Sequence, residues 1–216
     1  MAKSEDVRQM FNRIAPRYDL LNHLLSAGID RGWRRRLIKV LKIHKAKRVL
    51  DVATGTGDLA ILAARQGIEK ITGIDIAEEM LAVGEKKVKQ AGLGERIDLK
   101  QGKAEKLPFS DRSFDAAMVA FGVRNFEDLL QGMKEMQRVI RPDGIVCVLE
   151  FSTPKRFPLK QLYLFYFRNI LPRLGGWISG DRGAYDYLPE TVLKFPQGQQ
   201  FVEIMKQAGF KRNTGK

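Results

Sequence analysis

Cysteine, histidine and long apolar runs are scarce in this chain, and each scarcity excludes a class of protein. The single cysteine, Cys147, excludes an internal disulfide and a cysteine-rich zinc site, and it suits a reducing cytoplasm. The two histidines, His23 and His44, lie far apart and among no clustered carboxylates, so we predict no metal centre. No apolar run approaches the roughly 20 residues that span a bilayer, and the first six residues predict no signal peptide.

Positive charge, by contrast, is in excess. The 216 residues carry a formal net charge of +13, and 44% of them are hydrophobic, which is enough for the core of one domain. Such a surplus attracts polyanions: nucleic acid, an anionic membrane surface or acidic metabolites. The alternative is that lysine and arginine simply solvate the surface, and composition does not separate the two.

Short apolar runs alternate with amphipathic segments from residue 48 onward. Asn125 is the predicted N-cap of the last helix in this alternation, and Arg141–Gly144 is its predicted end. The pattern predicts an α/β fold with a doubly wound, mostly parallel sheet. The predicted strands span residues 48–53, 70–75, 96–100, 114–121 and 144–151, and the predicted helices span 57–66, 77–90 and 126–140.

We expect a single domain, with helical regions on both sides of this alternating core. Residues 1–44 predict helices, including a short one near 20–25, and residues 45–152 form the core. Residues 153–196 are rich in aromatics and prolines and predict a helical insertion. Residues 197–216 predict a last helix and the start of another strand.

The glycine turn after the first strand is the most informative motif. An apolar strand runs into Gly55-Thr-Gly57, and the second strand ends in Asp75. Glycine has no Cβ, so backbone N–H groups can approach a ligand closely there. A carboxylate at the tip of the next strand is placed to accept hydrogen bonds from the hydroxyls of a ribose. The motif therefore predicts a cofactor that contains a nucleoside.

The carboxylates around this turn separate two candidate cofactors. Residues 55–60 satisfy the dinucleotide pattern G-x-G-x-x-A, so NAD is one candidate. Asp51 before the turn and Asp58 after it would repel a pyrophosphate. S-adenosylmethionine instead brings an ammonium and a sulfonium, which favour nearby carboxylates. The alternative for Asp51 is a buried carboxylate that turn amides satisfy.

The loop after the third strand, residues 102–109, lies where an adenine would be expected. The Ala104 backbone N–H is then available to a ring nitrogen, whereas the alternative is an ordinary turn before Pro108. Residues 120–125 lack the Asn- or Asp-Pro-Pro-aromatic motif common in enzymes that methylate amino groups. Cys147 lies within a predicted strand, which indicates a core thiol more than a nucleophile.

Six segments spread over nearly the full length carry a resemblance to one family. They are residues 10–22, 33–35, 50–58, 104–109, 121–125 and 149–152. Together they resemble the quinone-biosynthesis C-methyltransferases, which methylate demethylmenaquinol and, in some organisms, the ubiquinone precursor. The resemblance implies the class I methyltransferase fold and C-methylation of demethylmenaquinol in menaquinone biosynthesis. Relatives continue past residue 216 into a strand hairpin, so we expect that hairpin to be missing here.

The resemblance also implies cofactor contacts at Thr56, Asp75, Lys103 and Ala104, and the chemistry of ring methylation suggests roles for other residues. We predict that Arg124 stabilises a phenolate on the substrate ring, with Asn125 as its hydrogen-bond partner and Asp19 as the proton acceptor. Tyr18 and Phe121 are predicted to face the substrate beneath a lid formed by residues 1–44. The alternative for Arg124 is a salt bridge at a helix start. The predicted cofactor-binding residues are Asp51, Gly55, Thr56, Gly57, Asp75, Ile76, Lys103, Ala104 and Ala120.

Several partner hypotheses stay open. Residues 162–171 are predicted to line an apolar entrance for an isoprenoid hydroquinone, with the protein cytoplasmic and peripheral at the inner face of an anionic membrane. The alternative is that these aromatics cap the sheet. RNA methylation is a rival hypothesis, although no nucleic-acid module is visible and the basic residues are scattered. Methylation of a benzoquinol, an inactive cofactor-binding form and a homodimer are further hypotheses. The arginines that would contact RNA phosphates are Arg31, Arg34, Arg35 and Arg36.

Overall fold

The computed structural model describes residues 4–19, 28–154, 156–166, 169 and 182–211, and within these ranges the strands form one parallel sheet. The strand order is β3-β2-β1-β4-β5, so the direction of winding changes between β1 and β4. Ligands of open parallel sheets bind outside the carboxyl ends of the strands at this kind of switch point. The strands are β1 (Arg48–Val52), β2 (Lys70–Asp75), β3 (Ile97–Gln101), β4 (Phe114–Ala120) and β5 (Ile140–Leu149).

Helices cover both faces of the sheet. The side chains of a strand alternate between the two faces, and β1 divides its residues accordingly. Val49 packs with residues of α2 and α3, whereas Leu50 packs with residues of α5 and α8. The helices are α1 (Ser4–Ile14), α2 (Ile29–Ile43), α3 (Asp58–Arg65), α4 (Glu78–Gln90), α5 (Leu129–Val139), α6 (Leu159–Phe165), α7 (Arg182–Lys194) and α8 (Gln199–Gln207).

The predicted fold class and element order are confirmed, and the bounds of the first four strands agree to within a residue. The fifth strand begins earlier than predicted, because α5 ends at Val139 and Ile140 already pairs with Phe114 of β4. Gly144 passes close to β4 here, and a Cβ on it would lie 2.6 Å from the Asp115 carbonyl oxygen. The predicted helix near 20–25 lies outside the described residues.

The prediction that Asn125 caps α5 is wrong. Asn125 ends a short 3-10 turn, Val123–Asn125, which the chain forms directly after β4. The N-cap is Asp128, whose Oδ1 accepts a hydrogen bond from the Gln131 backbone N–H at 2.9 Å. The chain needs the 3-10 turn to redirect it before α5 begins, and this leaves the Asn125 side chain for another role.

Three helices meet in a separate apolar cluster at the carboxyl edge of the sheet. Met10 and Ile14 of α1 pack there with Met80 of α4 and Val192 of α7. Within the described part of residues 153–196, α6 and α7 are helical, whereas residues 170–181 of the predicted insertion lie outside the described residues. None of the described helices is long and apolar enough to cross a bilayer.

Candidate active site

A cavity lies at the carboxyl ends of the central strands. Eight predicted site residues line it, and they come from the ends of three neighbouring strands, the loop after β3 and the turn after α1. Val7 and Phe11 of α1 cover its other side. The eight are Tyr18, Gly55, Asp75, Ile76, Ala104, Ala120, Phe121 and Asn125.

Six predicted site residues lie outside this lining: Asp19, Asp51, Thr56, Gly57, Lys103 and Arg124. The lining also includes residues that the sequence did not indicate, among them Ala53, Gly102, Glu105 and Gly122. Gly102 and Gly122 each come one or two residues after a strand, which was the signal available for them. Ala53 also comes directly after a strand, and Glu105 lies in the loop predicted to face the adenine.

Two lining residues have strained backbones. Ala53 after β1 has φ 52° and Phe121 after β4 has φ 60°, in the left-handed region that non-glycine residues rarely adopt. Strain of this kind persists where the surrounding structure requires it, commonly at functional sites. A Cβ on Gly122 would lie 2.6 Å from the Ala53 Cβ, so the two strand ends touch at this point. The two strained residues therefore line the same side of the cavity.

Asp75 joins the glycine turn to the start of α4. Its Oδ2 accepts from the Gly55 N–H at 2.8 Å, and its Oδ1 accepts from the Ala77 N–H at 2.9 Å. Burial raises the pKa of this carboxyl, and the Ala77 and Gly55 amides offset part of that rise. A carboxylate can accept about four hydrogen bonds, so capacity for ribose hydroxyls remains on the cavity side.

Asp51, predicted to bind the cofactor, lies outside the cavity lining. It is buried beneath the glycine turn, where its Oδ2 accepts from the Thr54 hydroxyl at 2.7 Å. Burial raises its pKa to about 7, although Thr54, the Arg34 charge and the Ala60 amide favour the ionised form. The alternative, a buried carboxylate that the turn satisfies, describes this residue better.

Asp51 should give the folded protein a measurable pH dependence. Its pKa is higher when folded than when unfolded, so between about pH 4 and 7 the folded state binds more protons and stability falls as pH rises. The variant Asp51→Asn has no ionisable group at this position, so it lacks this loss of stability with rising pH. Relative to wild type, its free energy of unfolding should therefore rise with pH across that window, as urea unfolding would measure. Asp98→Asn, on the exposed face of β3, is the control, and parallel profiles for wild type and Asp51→Asn would contradict the assignment.

Three backbone amides in and after the turn are used within the protein. Besides the Gly55 N–H, the Gly57 N–H bonds the Thr54 carbonyl at 3.0 Å, and the Ala60 N–H serves Asp51. A dinucleotide needs such amides, with the helix N-terminus behind them, for its pyrophosphate. With these amides engaged, the turn suits a cofactor without phosphates. The sequence argument for such a cofactor rested instead on the negative charge of Asp51.

Lys87 of α4 gathers three polar residues around the outside of the turn. Its Nζ lies 2.5 Å from Asp19 and 2.5 Å from Asp58, and 3.1 Å from the Thr56 hydroxyl. Thr56 in turn donates to Asp19 at 2.5 Å. These contacts hold the segment after α1 against the glycine turn, and Tyr18 lies over Gly55 as a result: a Cβ on that glycine would be 3.8 Å from the Tyr18 ring. Asp58 thus has a cation beside it.

Of the two residues predicted in the loop after β3, Ala104 lines the cavity and Lys103 does not. Lys103 is exposed and lies outside the cavity lining, whereas Gly102, Ala104 and Glu105 line it. The predicted Lys103 contact has no counterpart in this geometry, because the loop turns the side chain outward as residue 103 pairs with residue 106. Glu105 accepts the Glu127 backbone N–H at 2.7 Å, which ties this loop to the residues after β4.

Arg124 lies behind the cavity in a buried ion pair. Its Nη1 is 2.7 Å from Glu150 Oε1, and the two side chains are only 7% and 6% exposed. The same Nη1 donates to the Phe121 carbonyl at 2.5 Å. Asn125 does line the cavity, and its Oδ1 accepts from the Tyr187 hydroxyl of α7 at 3.1 Å. Glu150 and Tyr187 were missed, since neither stands in a motif beside its partner.

Two other sequence hypotheses can be compared with the structure. Burial raises the pKa of Cys147 on β5 to about 12, as expected for a core thiol. The arginines of α2 do not form one surface, because Arg34 is buried, pairs with Asp30 at 3.3 Å and lies over the Phe121 ring. Arg31, Arg35 and Arg36 remain exposed.

Comparisons with known proteins identify the family of this chain. The family model described as the ubiE/COQ5 methyltransferase family matches residues 1–214. A demethylmenaquinone methyltransferase of Bacteroides fragilis is 49% identical over 209 residues, which cover 96% of this chain and 85% of that protein. A ubiquinone/menaquinone biosynthesis C-methyltransferase of Citrifermentans bemidjiense is 50% identical over 211 residues, 97% of this chain and 89% of its own length.

The fold has counterparts among solved structures. A SAM-dependent methyltransferase of Thermotoga maritima, a possible histamine N-methyltransferase, aligns with a TM-score of 0.63 at 20% identity, over 94% of this chain and 81% of that one. Both chains therefore share the doubly wound fold whose switch point holds the cavity. With the family model matched over nearly its whole length, this chain belongs to the ubiE/COQ5 methyltransferase family.

Proposed function

We propose that this protein transfers the methyl group of S-adenosylmethionine to a ring carbon of demethylmenaquinol. The observation that carries the proposal is the cavity at the switch point, with Asp75 at one end and Phe121 and Asn125 at the other. The first end suits a ribose, and the second combines an aromatic ring with an amide. The names of relatives at 49–50% identity support the same acceptor.

Residues around the glycine turn fit the donor. Asp75 would hold the ribose hydroxyls, Ala104 and Gly102 the adenine, and Ala53 and Gly55 the methionine part. Bound S-adenosylmethionine supplies an electrophilic methyl group on a sulfonium. The Gly55 and Gly57 amides are engaged within the protein, which argues for this donor over a dinucleotide. Ile76 and Ala120 complete the lining on either side.

The acceptor must be activated before its carbon reacts. A hydroquinone ring carbon becomes nucleophilic when a neighbouring hydroxyl ionises, and the protein must stabilise the resulting phenolate. Asn125 supplies a hydrogen bond at the cavity wall, and Arg124 supplies positive charge from behind that wall, within its ion pair with Glu150. Tyr18, Phe121 and the residues of α1 exclude water and restrict the orientation of the ring.

A proton acceptor is also required, because guanidinium stays charged and accepts no proton. Asp19 was predicted for this task, and it stays a prediction; its contacts with Lys87 and Thr56 favour a role in holding the lid. Glu150 is the carboxylate that contacts Arg124. The phenolic oxygen loses its proton when the ring is activated and regains one after methyl transfer, so the net reaction releases one proton to solvent, the one lost from the ring carbon.

Methyl transfer from labelled S-adenosylmethionine tests the proposal. Short-tailed demethylmenaquinol, a matching benzoquinol and RNA are offered as separate acceptors, and label is expected in the naphthoquinol. Label in RNA, or in no acceptor while the donor binds, would overturn it. Titration calorimetry with S-adenosylmethionine beside NAD checks the donor separately.

The membrane is the proposed source of this substrate. Four large apolar residues before and along α6 face solvent, with Phe157 81% and Leu162 62% exposed. Arg156 and Lys160 lie among them, so the surface combines apolar and basic side chains, as interfacial helices do. The opposite side of α6 carries Tyr163, which packs inward. A cytoplasmic protein peripheral at the inner membrane face follows from this proposal, and a homodimer stays a prediction.

Removal of apolar side chains from α6 should weaken binding to anionic vesicles. The double variant Leu162→Ser, Phe165→Ser is expected to lose several-fold in co-sedimentation with phosphatidylglycerol vesicles, because each residue buries apolar area in the interface. Val40→Ser, Ile43→Ser is the matched control on α2, where the same kinds of residue are also exposed beside lysines. Equal losses in both variants would show that α6 is not the docking helix.

A further inference from the structure

The residues that hold Arg124 and Asn125 form a polar group behind the cavity wall. Glu150 follows β5 and Tyr187 lies on α7, so each comes from a different element from the Val123–Asn125 turn. Glu150 contacts Arg124, and Tyr187 contacts Asn125. Each of the two residues proposed to act on the substrate thus has its own partner.

Glu150 fixes both the backbone and the side chain of Arg124. Its Oε1 accepts from Arg124 Nη1 at 2.7 Å and from the Phe151 N–H at 2.9 Å. Its Oε2 lies 3.4 Å from the Arg124 backbone nitrogen. A carboxylate with three such contacts cannot shift without moving the guanidinium with it.

A buried ion pair is weak evidence for a stabilising role. Desolvation of two charges offsets most of their attraction, and apolar residues of similar volume commonly replace such pairs without loss of stability. Arg124 Nε is also buried and has no hydrogen-bond partner among the described residues. An unsatisfied buried donor costs free energy. Both observations indicate that the ion pair serves to position the guanidinium more than to stabilise the fold.

Tyr187 orients Asn125 in a comparable way. Its hydroxyl donates to Asn125 Oδ1, so the amide NH₂ group is left for the cavity that Asn125 lines. An oriented NH₂ group can donate to a substrate oxygen, whereas a free asparagine side chain can present either end.

We propose that Glu150 and Tyr187 are positioning residues, Glu150 for the Arg124 guanidinium and Tyr187 for the Asn125 amide. The inference rests on the proposed function. Neither residue lines the cavity, so both act through their partners. Their loss should lower the rate of methyl transfer and leave the affinity for S-adenosylmethionine unchanged.

Single-residue variants give the first test. Glu150→Gln and Tyr187→Phe should each lower kcat by about 10- to 100-fold with the donor affinity unchanged, because small misplacements near a reacting group cost rates of this order. Glu135→Gln is the matched control: Glu135 pairs with Arg138 at 2.8 Å and accepts the Leu107 N–H, but lies outside the cavity. Full activity in Glu150→Gln and Tyr187→Phe would overturn the inference.

Chemical rescue is the second test, because it distinguishes positioning of the guanidinium from a purely structural role of Glu150. Millimolar guanidinium should restore part of the turnover of Arg124→Ala, because Glu150 can still hold the added cation. It should not rescue the double variant Arg124→Ala, Glu150→Gln. Equal rescue of both overturns the positioning role. Should wild type itself methylate no quinol, the proposed function fails instead, so the two failures are distinct.

Discussion

Replacement of Asp75 with alanine is expected to weaken S-adenosylmethionine binding by about 100-fold or more, since charge-assisted hydrogen bonds contribute about 1.5–3 kcal/mol each. The loss has two parts. The ribose hydroxyls would lose their acceptor, and the Gly55 and Ala77 amides would lose the carboxylate that joins them. Titration calorimetry of wild type and variant measures the combined effect.

A control variant at another carboxylate separates these two causes from the general effect of removing a negative charge. Asp98→Ala removes an exposed carboxylate on β3, paired with Lys100 at 2.8 Å, and should leave donor affinity unchanged. Asp75→Asn should be intermediate, because an amide oxygen can still accept one of the two backbone N–H groups. Unchanged affinity in Asp75→Ala would show that the donor lies elsewhere.

The sequence predicted the fold and the position of Asp75 beside the glycine turn because both depend on local patterns. The strands follow from apolar runs, and Asp75 follows from its place at the tip of β2 beside the glycine turn. Such residues lie close together in any sheet with this connectivity. Their relative positions are therefore fixed once the fold is correct.

Asp51 and Asp19 show the limit of that reasoning. Which way a carboxylate near a turn faces depends on what it meets there: Thr54 and an amide beneath the turn for Asp51, and Lys87 on α4 for Asp19. Glu150 and Tyr187 reach the site from elements far along the chain. No spacing in the sequence encodes contacts that only packing creates, and Asn125 was misassigned as a cap for the same reason.

Replacement of Arg124 with alanine should lower kcat by about 10²- to 10³-fold, the usual cost of removing one group that stabilises developing negative charge. It should also destabilise the fold by about 3–5 kcal/mol, since Glu150 would be left as a buried unpaired charge. Single-turnover methylation at saturating donor measures the first effect, and urea unfolding measures the second.

A double variant separates the two effects of losing Arg124. Arg124→Met with Glu150→Leu removes both buried charges, so stability should return to near the wild-type value while turnover stays low. Arg138→Ala is the opposite control, because Arg138 pairs with Glu135 and Asp111 outside the cavity and should cost stability without lowering turnover. If the double variant regained activity together with stability, the guanidinium would serve the fold alone, and the phenolate would need a different cation.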